Sequence, residues 1–191
     1  MIQRVALWIA LTAAGLGLGG GSAWWAIRGP GPGQSLALGP WRADLLVGSR
    51  QAGLYTRARV AMSGLLGLGR AETLYFVARS DDRGRPLDGA CAYRIEGPAP
   101  AARWWSLTVY DADHFLIDHP TRRFSINSAQ AGAAGDLAVT LAAEARAEPW
   151  LPVPRNAPFE LTLRLYNPAT ELAARPEALI APRIRAEEGC R

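Results

Sequence analysis

From Val5 to Ile27 the chain runs for 23 residues without a charged side chain. At 1.5 Å per residue that is about 34 Å of helix, enough to cross a hydrocarbon layer of roughly 30 Å. Arg4 and Arg28 bracket the run, with Trp8 near one end and Trp24 and Trp25 at the other, where indole rings favour the headgroup interface. A cleaved signal peptide is the rival reading, with Gly21-Ser22-Ala23 as the small-residue site. The full spanning length and the Trp pair beyond that site favour an uncleaved anchor.

Inside the run, Gly15-Leu16-Gly17-Leu18-Gly19-Gly20 satisfies the dinucleotide-binding pattern G-x-G-x-x-G. That pattern has chemical meaning only between a strand and a helix, where backbone N–H groups meet a pyrophosphate, so no cofactor is expected. The spacing instead places Gly15 with Gly19, and Gly17 with Gly21, as G-x-x-x-G pairs. Such pairs let two apolar helices approach closely, and a homodimer through this helix is the corresponding expectation; an anchor without a partner is the alternative.

The charge pattern does not orient the helix, since Arg28 and Arg42 outnumber Arg4 and large domains translocate largely regardless of charge. Cys91 and Cys190 are the two cysteines, both downstream. An even count in a tethered domain points to one disulfide and an oxidising compartment; two unpaired thiols are the alternative.

The net charge of +4 invites a nucleic-acid reading, but all 21 basic residues are arginines and they occur at most in close pairs such as Arg57/Arg59 and Arg122/Arg123. A nucleic-acid surface needs a clustered basic face interleaved with stacking aromatics, and none is present. Attraction to anionic lipid headgroups remains compatible with the composition.

Four segments follow: a tail at 1–4, a transmembrane helix at 5–27, a Gly/Pro linker at 28–40 and a domain at 41–191. The linker contains Gly29-Pro30-Gly31-Pro32-Gly33, which can hold neither a helix nor a central strand. Tyr55, Ala58, Met62 and Leu65/Leu66 then recur at helical spacing, ended by Gly67-Leu68-Gly69. Beyond them the period becomes two. Trp105, Leu107 and Val109 alternate with Trp104, Ser106, Thr108 and Tyr110; Phe159, Leu161, Leu163 and Leu165 alternate with Glu160, Thr162, Arg164 and Tyr166. The runs at 72–79, 91–96 and 136–141 are further strands, and turn chemistry separates them (Asp81-Asp82-Arg83-Gly84, Asp88-Gly89, Asn167-Pro168). The expected fold is mainly β: an antiparallel sandwich or jelly-roll-like body with one early helix, and a proline-rich loop at 148–158 crossing between sheets.

The run Tyr75-Phe76, then Asp82-x-Gly84-x-Pro86-Leu87-Asp88-Gly89, Tyr93 and Arg103-Trp104-Trp105-Ser106-Leu107-Thr108-Val109-Tyr110-Asp111, resembles the bacterial family called domain of unknown function 1214. Trp150-Leu151-Pro152 and Leu163-Arg164-Leu165-Tyr166-Asn167-Pro168 extend the resemblance, which covers about residues 50–185. It implies a β-rich domain, found either as the C-terminal half of larger exported proteins or in a short membrane-anchored form. It brings no catalytic residues, because that family has no established general activity. With it, the expected location is the bacterial inner membrane, the C-terminal domain facing the periplasm.

No serine lies in G-x-S-x-G. His114 and His119, the two histidines, are five apart around a turn, which is not a ligand spacing, so no metal site is expected; Asp111, Asp113 and Asp118 beside them read as turn formers. Carboxylate pairs for glycan hydrolysis would have to come from Asp82, Asp88, Glu96 and Asp111. The strongest candidate is a sheet face. If the strands carrying Trp104–Tyr110 and Glu160–Tyr166 are neighbours, Trp104, Tyr110, Arg164 and Tyr166 share one face, with Arg103 and Asp111 at an edge. Aromatics around an arginine suit a sugar, an acidic headgroup or a peptide. The expectation is a non-catalytic envelope binding or structural module; the alternative is a periplasmic hydrolase working through acidic turn residues.

Overall fold

The computed structural model describes residues 2–28, 35–130, 136–147 and 149–190. Helix α1 spans Ile2–Arg28 and is long and apolar enough to cross a membrane, with none of its residues buried. Arg28 lies over the Trp24 ring at 4.2 Å. Nothing approaches the Cβ positions of Gly15, Gly17, Gly19 and Gly21 within 4 Å, so the proposed packing stripe is open in the single chain.

The body is mostly strands in two sheets. Strands β1 (Ser35–Leu38), β2 (Trp41–Asp44), β3 (Thr73–Ala78), β5 (Ala102–Asp111), β6 (Ser125–Asn127) and β9 (Phe159–Pro168) form a six-stranded sheet in the order β1-β2-β3-β9-β5-β6. Strands β4 (Tyr93–Gly97), β7 (Leu137–Ala142), β8 (Trp150–Pro152) and β10 (Arg183–Ala186) form a second, ordered β10-β4-β7-β8. Alternation explains the packing between them. Leu161, Leu163 and Leu165 of β9 are wholly buried, as are Leu107 of β5, Ile95 of β4, Val139 and Leu141 of β7 and Ile184 of β10, and both sheets contribute to one hydrophobic core.

Several expectations need correction. The sheets are not wholly antiparallel, because β7 and β8 pair in parallel. The segment expected as a crossing loop therefore contributes β8, whose Trp150 donates its indole N–H to the Ala142 carbonyl at 3.0 Å. The end of the presumed linker is strand β1; it sits at a sheet edge, where a Gly/Pro-flanked strand is tolerated. Residues 29–34 of that linker lie outside the described residues. Two further short helical pieces follow β9, α3 (Thr170–Ala174) and a 3-10 turn at Pro176–Ala178.

The early helix, α2, is Leu54–Met62, ending four residues sooner than the apolar spacing suggests. Its apolar residues do not face the core: Thr56 is the residue it buries, while Leu54, Tyr55 and Met62 are exposed. Gly48 fixes the path around it. With φ at +68°, any Cβ there would lie 2.2 Å from the Leu68 carbonyl group, so the loops on either side of α2 cross in contact.

Three ties close the body far apart in sequence. The buried Trp41 indole N–H donates to the Pro182 carbonyl at 2.7 Å, and the Ile184 N–H donates to Asp82 Oδ1 at 3.1 Å. Cys91 and Cys190 are joined in a disulfide, with Cα atoms 5.4 Å apart and a separation of 99 positions in sequence. Beside it, buried Asp81 accepts the Arg83 and Arg85 N–H groups, each at 2.9 Å, and pairs with the Arg85 guanidinium at 2.8 Å. Burial alone would raise the Asp81 pKa, but the backbone and side-chain bonds from Arg85 and the Arg83 N–H outweigh it and hold the carboxyl below its ordinary value.

Candidate functional site

Because side chains alternate along a strand, the set opposite the core lines one outward face of the larger sheet. Register puts β9 between β3 and β5. Tyr110 lies opposite Glu160, Thr108 opposite Thr162, Ser106 opposite Arg164 and Trp104 opposite Tyr166; Tyr75 of β3 pairs with Arg164 from the other side. The adjacency assumed for the candidate face therefore exists. The Trp104 and Tyr166 rings are 5.1 Å apart between centroids. Arg164 donates to the Tyr110 hydroxyl at 2.7 Å and to Thr108 Oγ1 at 3.1 Å, and its guanidinium lies 5.3 Å from the Tyr110 ring centre.

The remaining two residues of that prediction do not join them. Arg103 and Asp111 have the parity of buried Trp105 and Val109, not of Trp104 and Tyr110, and sit near opposite ends of β5. Asp111 is a turn former: its Oδ1 accepts the N–H groups of Asp113 and Phe115, both at 2.9 Å.

This outward face is also less open than simple alternation suggests, since Ser106, Thr108, Glu160 and Thr162 are all buried. The connection after α2 passes over it, and the Tyr75 hydroxyl donates to the Leu66 carbonyl. Burial raises the Tyr75 pKa, with a further push from neighbouring Tyr166, so the hydroxyl stays protonated and a donor.

Between this face, α2 and the end of α1 lies a cleft of about 430 Å³, lined by Ile27 and Arg28, Arg59 and Met62, and Tyr110 and Thr162, among others. Its chemical centre is Glu160. This buried carboxylate accepts from Arg79 Nε at 2.7 Å through Oε2 and bonds His114 Nδ1 at 2.8 Å through Oε1. His114 is in the left-handed region, at φ 68°, on the turn closed by Asp111. A non-glycine residue there is sparsely populated, and the Asp111 turn together with the Glu160 bond holds it.

Glu160, Arg79 and His114 were not recognised together from the sequence. In the sequence Glu160 shows only as a polar position of β9, and His114 stands out only for lying five residues from His119. His119 instead packs edge-on against the Trp150 ring at 5.8 Å and bonds Thr121. Among the described residues no group of three or more His, Cys, Asp or Glu side chains is placed to hold a metal. The carboxylates weighed for hydrolysis have structural partners: Asp82 holds β10, Asp88 Oδ1 accepts the Ala90 N–H, and Glu96 pairs with Arg94 on the surface.

These features define a two-sheet domain preceded by an apolar helix, with a polar cleft on the outer face of its larger sheet. The family described as protein of unknown function (DUF1214) matches residues 72–170, more than half of the chain, and the chain belongs to that family. Among solved structures, the chain is similar to the VPA0106 protein from Vibrio parahaemolyticus at 26% identity and a TM-score of 0.58, over 72% of this chain and 36% of that one. It also matches an uncharacterised protein from Burkholderia cenocepacia at 18% identity and a TM-score of 0.42, over 62% of this chain and 30% of that one. The chain thus spans about a third of the length of either. No curated protein matches it.

Proposed function

We propose that this chain is a non-catalytic envelope module, anchored by α1 in the bacterial inner membrane, whose periplasmic domain binds a polar ligand in the cleft on the larger sheet. The observation that carries this is the cleft itself: buried Glu160, held by Arg79 and His114, lies at its wall beside Tyr110 and Thr162, while Ile27 and Arg28 of the helix close its other side. The wall mixes donors, acceptors and an aromatic ring, which suits a hydroxylated or anionic ligand. The disulfide supports an oxidising compartment. Thermal shift of the full chain in detergent, screened with sugars and phosphorylated headgroup analogues, tests the reading. A stabilising ligand whose effect disappears in Tyr110→Ala and Arg79→Ala fits it; a ligand unaffected by both binds elsewhere and refutes the cleft assignment.

The hydrolase alternative draws support from one arrangement, and it is not the acidic turns. A carboxylate on His114 Nδ1 orients the imidazole, and Nε2 has no hydrogen-bond partner among the described residues. Such a ring can take a proton from water attacking an ester or glycoside. Hydrolysis lost in His114→Gln without loss of folding would favour this reading; indifference to that change would end it.

A further inference from the structure

Outside α1, eight large hydrophobic side chains among the described residues are exposed, and six of them lie on two short segments. Leu54, Tyr55, Met62 and Leu66 belong to α2 and its connection to β3; Phe115 and Leu116 follow His114 on the turn after β5. Both segments border the cleft, the first through Met62 and Leu65, the second through Asp113 and His114, and the end of α1 reaches it through Ile27 and Arg28. The exposed apolar groups therefore gather where α1 meets the body.

On the first segment charge follows the same pattern, whereas the second carries exposed Asp113 and Asp118. Residues 45–71 contain Arg50, Arg57, Arg59 and Arg70 and no Asp or Glu. An apolar helix face bordered by arginines is the composition of a segment lying in the plane of a membrane interface, with apolar side chains among the acyl boundary and guanidinium groups at phosphate level. Each arginine near an anionic surface adds attraction, and a spanning helix holds the body within reach of that surface.

We propose that the cleft rim, formed by Leu54–Leu66 and the Phe115-Leu116 turn, is a docking surface for an anionic phospholipid bilayer. This rests on the reading of α1 as a spanning anchor. The rim then lies down on the leaflet from which α1 emerges, and the domain is held against the membrane. The segment 45–71 precedes residues 72–170 matched by the family, whereas the Phe115-Leu116 turn lies within them.

The test uses the full chain reconstituted in vesicles of phosphatidylcholine and phosphatidylglycerol containing brominated lipid. Since Cys91 and Cys190 are paired, a single added thiol takes a bimane label at Leu66→Cys, at Phe115→Cys, or at the exposed Arg155→Cys on the opposite sheet's side. Quenching of roughly twofold or more at positions 66 and 115, as for groups about 5–10 Å into the interface, with none at 155, is the expected result. Adding Leu54→Asp and Met62→Asp is expected to remove the quenching at 115. Equal, weak quenching at all three sites overturns the proposal, including the case in which a second copy covers the rim. Alkaline extraction separates the two claims: a chain that stays in the membrane yet shows no quenching refutes docking alone, whereas extraction of the chain refutes the anchor.

Discussion

Removing the Cys91–Cys190 bond has a consequence that can be worked out from the chain. The bridge joins positions 99 apart in sequence. In the chain-entropy description a loop of that length restrains the unfolded ensemble by about 4.7 kcal/mol at 25 °C. The native side loses little, because the tail has other ties: Arg85 Nη1 donates to the Cys190 carbonyl at 3.3 Å, and the Glu187 N–H donates to the Ala92 carbonyl at 2.9 Å. Nearly all of the loss should therefore appear as a lowered unfolding free energy, with β10 still paired to β4. Guanidinium unfolding of the full chain in mild detergent, followed by tryptophan fluorescence, compares the native chain with the Cys91→Ser/Cys190→Ser variant. The expected result is a loss of about 3–5 kcal/mol with an unchanged near-ultraviolet spectrum before unfolding. A loss below about 1 kcal/mol would refute the long-loop argument and mean that the unfolded chain is already compact.

Three other outcomes follow from particular contacts. Asp81 has a folded pKa below its unfolded value, so its stabilisation is complete above the unfolded pKa of about 3.9 and is lost as pH falls through the folded value; Asp81→Asn should flatten the acid limb of a Tm-versus-pH curve, and an unchanged limb would contradict this. At Gly89 an added Cβ would meet the Pro154 carbonyl oxygen at 1.5 Å, so Gly89→Ala should lower stability by about 2 kcal/mol or more, read as a fall in Tm, whereas a neutral result would show that the 89–154 contact yields. Glu160→Ala should cost about 1–3 kcal/mol because it strips a buried carboxylate from Arg79 and His114, while Glu96→Ala at the exposed Arg94 pair should cost about 0–1; equal losses would deny Glu160 its buried role.

Long strands were readable because ten residues hold several cycles of alternation. β5 and β9 show it in Trp105, Leu107 and Val109 and in Phe159, Leu161, Leu163 and Leu165, all buried. Strands β1, β6, β8 and β10 have three or four residues each, too few for a period to show, and β10 is placed by a distant partner, Glu96 opposite Arg183. The helix over 54–62 was legible, but its burial was not: helical spacing identifies a stripe and does not say whether core, solvent or lipid meets it. The face carrying Trp104, Tyr110, Arg164 and Tyr166 was legible as two parity sets. The pairing of Glu160 with His114 was not, since it depends on β9 lying beside β5 and on a left-handed backbone at His114.

As the proposed anchor, α1 would leave the two-sheet domain outside the cytoplasm. Protease treatment of intact spheroplasts expressing the full chain, with an epitope appended after Arg191, measures that directly. Loss of the epitope before lysis is the expected result, with a short membrane-embedded fragment containing α1 left behind. An epitope protected until the membrane is opened would place the domain in the cytoplasm and contradict it.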